Sequence, residues 1–153
     1  MITIRQVNSG DVEQIVSLES QLFGADAWSA QLVRDELSAS HRHYFVAVDE
    51  QDAVRGYAGL FAPGAEGDIQ TIAVIPELRG QGVGRALMET LIEEARRRKV
   101  EQLFLEVRAD NAVARALYDT LGFEIIGERP GYYQPGNVAT VVMRKQVSAH
   151  EPA

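Results

Sequence analysis

The stretch DIQTIAVIPELRGQGVGRALMETLIEEA, residues 68–95, constrains the fold more than any other. A β-branched run stops at Pro76, and Gly80, Gly82 and Gly84 follow. Val83, Ala86, Leu87, Leu91 and Ala95 then recur at helical spacing. This predicts a strand, a tight turn and a long helix ending near Lys99. A helix N-terminus has unpaired N–H groups and the positive end of a dipole. Glycines ahead of it let bare backbone approach an anion. The turn is therefore a candidate pyrophosphate cradle, with Arg79 and Arg85 adding positive charge. A ligand-free strand-to-helix turn accounts for the glycines equally well.

The rest of the chain reads as a mixed sheet with helices packed on it. ITIRQV alternates as a first strand. Ser9 is placed to cap a helix carrying Val12, Ile15, Val16, Leu22 and Phe23, and Ser29 to cap a second in WSAQLVRDEL. YFVAVD and VRGYAGLFA form a hairpin around EQDA. Beyond the glycine turn come a strand EQLFLEV, a helix NAVARALYDTLGF closed by Gly122, and strands FEIIGERP and NVATVVMRK. The expected order is β-α-α-β-β-β-α-β-α-β-β, an α/β (α+β mixed sheet) class. One domain over residues 1–147 is expected, with a frayed tail at 148–153.

The chain has 153 residues, a net charge of −7 and no cysteine. Disulfides and thiol chemistry are excluded. The acidic balance opposes non-specific nucleic-acid binding and suits a basic partner. No apolar run approaches the ~20 residues that span a bilayer, and no signal-peptide pattern opens the chain. The expectation is a cytoplasmic protein without membrane or nucleic-acid partners. His41 and His43 are too few ligands for a metal centre, so no metal is expected.

Three phosphate compounds compete for the turn. A triphosphate P-loop needs Gly-Lys-Ser/Thr, whereas Arg85 and Ala86 follow Gly84. A dinucleotide-binding turn fits GVGRAL better, with Glu106 about twenty residues on as a ribose-binding acid. PELR intervenes between strand and glycines, however, and regular βα alternation is missing upstream. Coenzyme A poses the same physical problem through its own pyrophosphate.

Downstream lies LFLEVRADNAVARALYDTLGFEIIGERPGYY. RGQGVG resembles the Arg/Gln-x-x-Gly-x-Gly/Ala motif of the GCN5-related N-acetyltransferases (GNAT). LEVRADNAVARALYDTLGFE resembles the segment marking the RimI-type group, which acetylates protein N-termini. The resemblance spans nearly the whole chain and is strongest from Asp68 to Tyr133, with AWS at 27–29 also similar.

It implies the GNAT acyl-CoA N-acyltransferase fold and acetyl-CoA as cosubstrate. The implied acceptor is a protein N-terminus, typically the N-terminal alanine of a small-subunit ribosomal protein. A small amine, a lysine side chain and a non-catalytic acyl-CoA sensor are the alternatives. The pantetheine arm maps to Ile72, Ala73 and Val74, with the Val74 N–H polarising the acetyl carbonyl. The pyrophosphate maps to the run Arg79, Gly80, Gln81, Gly82, Val83, Gly84 and Arg85.

Glu106 matches the proton acceptor. A strand-end acid, paired with Arg108 or simply solvated, is the alternative. Tyr118 matches the general acid toward the leaving thiolate, and a core tyrosine with its hydroxyl at the edge is the alternative. Asn111 matches a cofactor-binding asparagine but is equally placed to cap a helix. Trp28, Tyr132 and Tyr133 map to the walls of the peptide groove, and aromatic packing accounts for them as well.

Overall fold

The computed structural model describes residues 1–131 and 138–147. Its elements run β1 (Thr3–Gln6), α1 (Val12–Phe23), α2 (Ala30–Ser38), β2 (Arg42–Val48), β3 (Val54–Phe61), β4 (Glu66–Val74), α3 (Val83–Arg97), β5 (Gln102–Arg108), α4 (Ala112–Thr120), β6 (Glu124–Arg129) and β7 (Thr140–Gln146). The order is the one the sequence predicts. Among the described residues no helix is long and apolar enough to cross a membrane.

One start signal is corrected. Asn8, not Ser9, opens the first helical segment. Its side chain accepts from the Gly10 N–H at 2.9 Å, while Asp11 accepts from the Asn8 N–H at 2.8 Å. This reciprocal box starts a 3-10 turn over Ser9–Asp11, so the α-helix begins only at Val12. Arg5 clamps the buried Asp11 with two bonds of 2.9 Å and so ties the turn to β1. Ser29 caps α2 as expected, accepting from the Leu32 N–H at 3.1 Å.

The sheet order is β1-β2-β3-β4-β5-β7-β6. Every neighbouring pair is antiparallel except β4 and β5. That parallel ladder joins only Glu66–Asp68 to Gln102–Phe104. Beyond it, among the described residues, β4 pairs with β3 alone and β5 with β7 alone, so the sheet opens as a fork. An extra residue on β4 helps to turn it away: Leu60 faces Ile69 while Gly59 faces Thr71, leaving Gln70 unopposed.

Each face of the sheet has its own core. On one, Leu87, Leu91 and Ala95 of α3 pack with Leu103, Leu105, Tyr118, Phe123 and Met143. On the other, Ile15, Leu18 and Val33 of α1 and α2 pack on Val46, Tyr57 and Ala73. A fully buried leucine hides enough apolar surface to contribute about 1.5–3 kcal/mol, so these two layers hold the fork rigidly from both sides. The register puts Glu106 on the α1/α2 face, opposite Val142 of β7, and Ile72 and Val74 on the α3/α4 face.

Candidate active site

The turn into α3 is built as an open cradle. Gly80 (φ 78°) and Gly82 (φ 86°) lie in left-handed conformations that side chains disfavour. A Cβ at either would meet no atom within 4 Å, so the backbone there is bare. The first bond of α3 is Ala86 N–H to Gly82 C=O at 3.0 Å. The N–H groups of Val83, Gly84 and Arg85 therefore have no acceptor one turn back in the helix.

Beside this cradle lies a cleft of about 780 Å³. It brings together Ile72, Ala73, Val74, Arg79, Gly80, Gly82, Gly84, Arg85, Asn111 and Tyr118, which the sequence had marked separately. The edge of β4 forms one wall. The Ile75 N–H bonds back to Arg55 C=O on β3 at 3.0 Å. By the alternation of an antiparallel ladder, the Val74 N–H and C=O point the other way, into the fork. The Arg79 guanidinium already uses that carbonyl, donating to it at 3.3 Å. Arg85 donates to the Thr120 hydroxyl at 2.6 Å and so leans toward α4.

Gln81 and Val83 sit differently. The Gln81 amide donates to Glu77 C=O at 3.1 Å, and Gln81 lines a separate cleft behind the turn. The Val83 side chain is buried in the core. Asn111 caps α4, accepting from the Ala114 N–H at 3.1 Å, while also lining the main cleft.

Tyr118 is buried, with its ring edge-on to Phe123 at a centroid distance of 6.2 Å. Burial raises its phenol pKa above the ordinary value. Glu106 lies across the fork on the other face and is 40% exposed. Its carboxylate does not pair with Arg108, which instead holds Asp110 at 3.1 and 3.2 Å. Glu106 accepts from the Thr140 hydroxyl and lies 3.4 Å from Nε of Arg129.

Trp28 packs against the core under α1, and its backbone N–H donates to the buried Glu19 at 2.9 Å. It does not line the main cleft. Tyr132 and Tyr133 lie outside the described residues. Among those described, no three acidic or histidine side chains group as metal ligands.

The sequence reading missed two features. Leu22 and Phe23 close the cleft from the α1 side, and Phe23 is 42% exposed. Its place in the apolar pattern marked it as core, and only the helix ending at the fork explains its exposure. Thr140 and Arg129 were also missed. Their only sequence signal is polarity at the facing ends of two strands flanking the PGYYQPGN segment.

The fork thus carries bare helix-start N–H groups on one face and the half-exposed Glu106 carboxylate on the other. The acetyltransferase (GNAT) family model matches residues 12–123, and the chain belongs to that family. It is an acetyl-CoA-dependent N-acetyltransferase.

Among its relatives is the N-alpha-acetyltransferase RimI of Mycobacterium tuberculosis, 36% identical over 149 residues, covering 94% of this chain and 92% of that protein. An uncharacterized protein of Mycobacterium leprae is 39% identical over 150 residues. That match covers 95% of this chain but only 41% of the longer relative. The crystal structure of the ribosomal-protein-S18-alanine N-acetyltransferase from Escherichia coli shares the fold with a TM-score of 0.86 and 32% identity, covering 97% of this chain and 95% of that one.

Proposed function

We propose that the chain transfers acetyl from acetyl-CoA to the N-terminal α-amino group of a protein, and that the acceptor is the N-terminal alanine of ribosomal protein S18. The observation that carries this is full-length similarity, in sequence and in fold, to enzymes named for that reaction. The cytoplasm is the compartment this reading implies, and residues 1–147 act as one domain.

The cradle fits a pyrophosphate: three N–H groups at the start of α3, two bare glycines and two flanking arginines. The free edge of β4 at Ile72–Val74 fits the amide-bearing pantetheine arm, which would extend the sheet as a strand does. Bound acetyl-CoA would supply the thioester. The Val74 N–H, directed into the fork, stabilises negative charge on the acetyl oxygen.

Glu106, on the opposite face, accepts the proton that makes the incoming amine nucleophilic. That task is modest for an α-amine of pKa about 8 and harder for a lysine of about 10.4. Tyr118 gives its proton to the departing thiolate. Burial favours the neutral phenol, so it remains a donor at physiological pH. The two faces of the fork keep donor and acceptor apart until they meet between β4 and β5, where orientation itself lowers the barrier.

Acetyl-CoA turnover with a panel of acceptors tests the proposal: an S18 N-terminal peptide, the same peptide with a blocked α-amine and an internal lysine, and small polyamines. Turnover confined to the free α-amine is expected. Preference for lysine or a polyamine would replace the acceptor, and no turnover with any would leave an acyl-CoA-binding protein.

A further inference from the structure

We infer that Thr140 is a positioning residue that fixes the Glu106 carboxylate and reserves one of its oxygens for the acceptor amine. This rests on the reading of Glu106 as the proton acceptor. Thr140 opens β7, directly across from Arg108, with its side chain on the face that carries Glu106. It is among the few buried polar residues. Its hydroxyl donates to Oε2 of Glu106.

The other oxygen, Oε1, faces Arg129 at 3.4 Å. The two contacts differ in kind. Thr140 is short, buried and β-branched, so its χ1 is restricted and its hydroxyl is held in place. Arg129 is 69% exposed on a long side chain and is free to swing. A pair that exposed is weak and screened.

An arriving ammonium therefore displaces the guanidinium from Oε1 and takes its place, while Thr140 keeps the carboxylate from turning. The N–H bond breaks, the proton passes to Oε1, and the nitrogen lone pair becomes available for attack. A carboxylate free to rotate would offer its oxygens to solvent and seldom to the amine. Thr140 touches neither substrate nor cofactor in this account and acts only through Glu106.

Steady-state kinetics with acetyl-CoA and an alanine-initiated peptide test this in five proteins: wild type, Thr140→Val, Thr140→Ser, Glu106→Gln and the double variant Thr140→Val/Glu106→Gln. Thr140→Val keeps the shape and removes the hydroxyl. Its kcat should fall about tenfold, as for a hydrogen bond to a charged group, with KM for acetyl-CoA unchanged. Thr140→Ser should recover most of the loss. In the Glu106→Gln background the valine should add nothing.

Wild-type kcat in Thr140→Val, or Thr140→Ser as slow as Thr140→Val, would overturn the assignment. So would an undiminished effect of valine beside Glu106→Gln. If Thr140→Val does not fold by circular dichroism, Thr140→Ala replaces it: a tenfold loss of kcat that Thr140→Ser does not share supports the role, and wild-type kcat opposes it. Glu106→Gln at wild-type rate would instead remove the acid–base reading beneath, whatever Thr140 does.

Discussion

Asp68 of β4 stands beside Phe104 of β5 as the last pair of the only parallel ladder in the described sheet. Past it, the backbone groups of Ile72 and Val74 lose a neighbour on one side, and Leu105 to Arg108 keep β7 alone. Unpaired backbone inside a sheet is costly. Here the opening is lined by the cleft, so water or a ligand amide can satisfy those groups. The site is thus a consequence of stopping one ladder after three residue pairs.

The glycine cradle gives the first prediction. Gly82→Val places a β-branched residue at φ 86°, a backbone that costs L-residues roughly 1–2 kcal/mol. It also fills space that holds no atom now. Acetyl-CoA affinity should fall at least tenfold by titration calorimetry, in a variant shown folded by circular dichroism. Unchanged affinity would return the turn to a purely structural role.

Much of this was legible in the chain, for physical reasons that can be named. Helix and strand patterning marked all eleven elements in order, since most of them bury at least one face. The glycines at 80 and 82 were legible because positive φ selects them. The fork was not, because strand order and ladder length depend on contacts far apart in sequence: β7 inserts between β5 and β6. Asn8 displaced Ser9 as the cap because it forms a reciprocal box with Asp11 three residues on, and Arg5 of β1 adds two bonds to the same carboxylate. Phe23 looked like core because periodicity cannot tell an apolar face covered by a sheet from one ending at a gap.

A second prediction separates the dinucleotide reading from coenzyme A. NAD(H) shares a pyrophosphate, but among the described residues no parallel strand lies along β4 past Asp68, so the doubly wound frame that positions its ribose is not formed there. Competition calorimetry should show no displacement of acetyl-CoA by NAD(H) at micromolar concentrations. Displacement there would revive the dinucleotide site.

A third prediction concerns stability and pH. The hydrogen-bonded Arg5 guanidinium holds the Asp11 carboxyl below the ordinary carboxylate pKa, aided by the Asn8 N–H. A folded-state pKa below the unfolded one means the unfolded chain binds more protons in acid. The contribution is therefore fully present above about pH 4, the unfolded value, and is lost as pH falls through the lower folded value. Asp11→Asn should cost about 2 kcal/mol at pH 7. The deficit against wild type should shrink as pH falls from 4 toward 2 in urea melts. A deficit that stays constant with pH would mean that shape, and not charge, holds the turn.

The last prediction tests the acid and the base together. Glu106→Gln preserves shape and removes the proton acceptor, and general acid–base catalysis contributes typically ~10²- to 10⁴-fold, so turnover should drop by about that much. Affinity for acetyl-CoA should hold, because Glu106 lies on the face of the sheet away from the cradle. Raising the pH should restore part of the rate, since more of the α-amine is then neutral without help. Tyr118→Phe removes the donor to the thiolate, and its rate should also fall, but higher pH supplies no substitute proton and should not rescue it. The Tyr118 ring keeps its edge contact with Phe123 in that variant, so folding should be unaffected. Initial rates against an alanine-initiated peptide from about pH 6.5 to 9.5, around the α-amine pKa of about 8, give the comparison. Parallel profiles for the two variants would show that they do not divide acid from base. Wild-type rates for Glu106→Gln throughout would leave Glu106 a surface carboxylate held by Thr140 and Arg129, and would assign the proton to water.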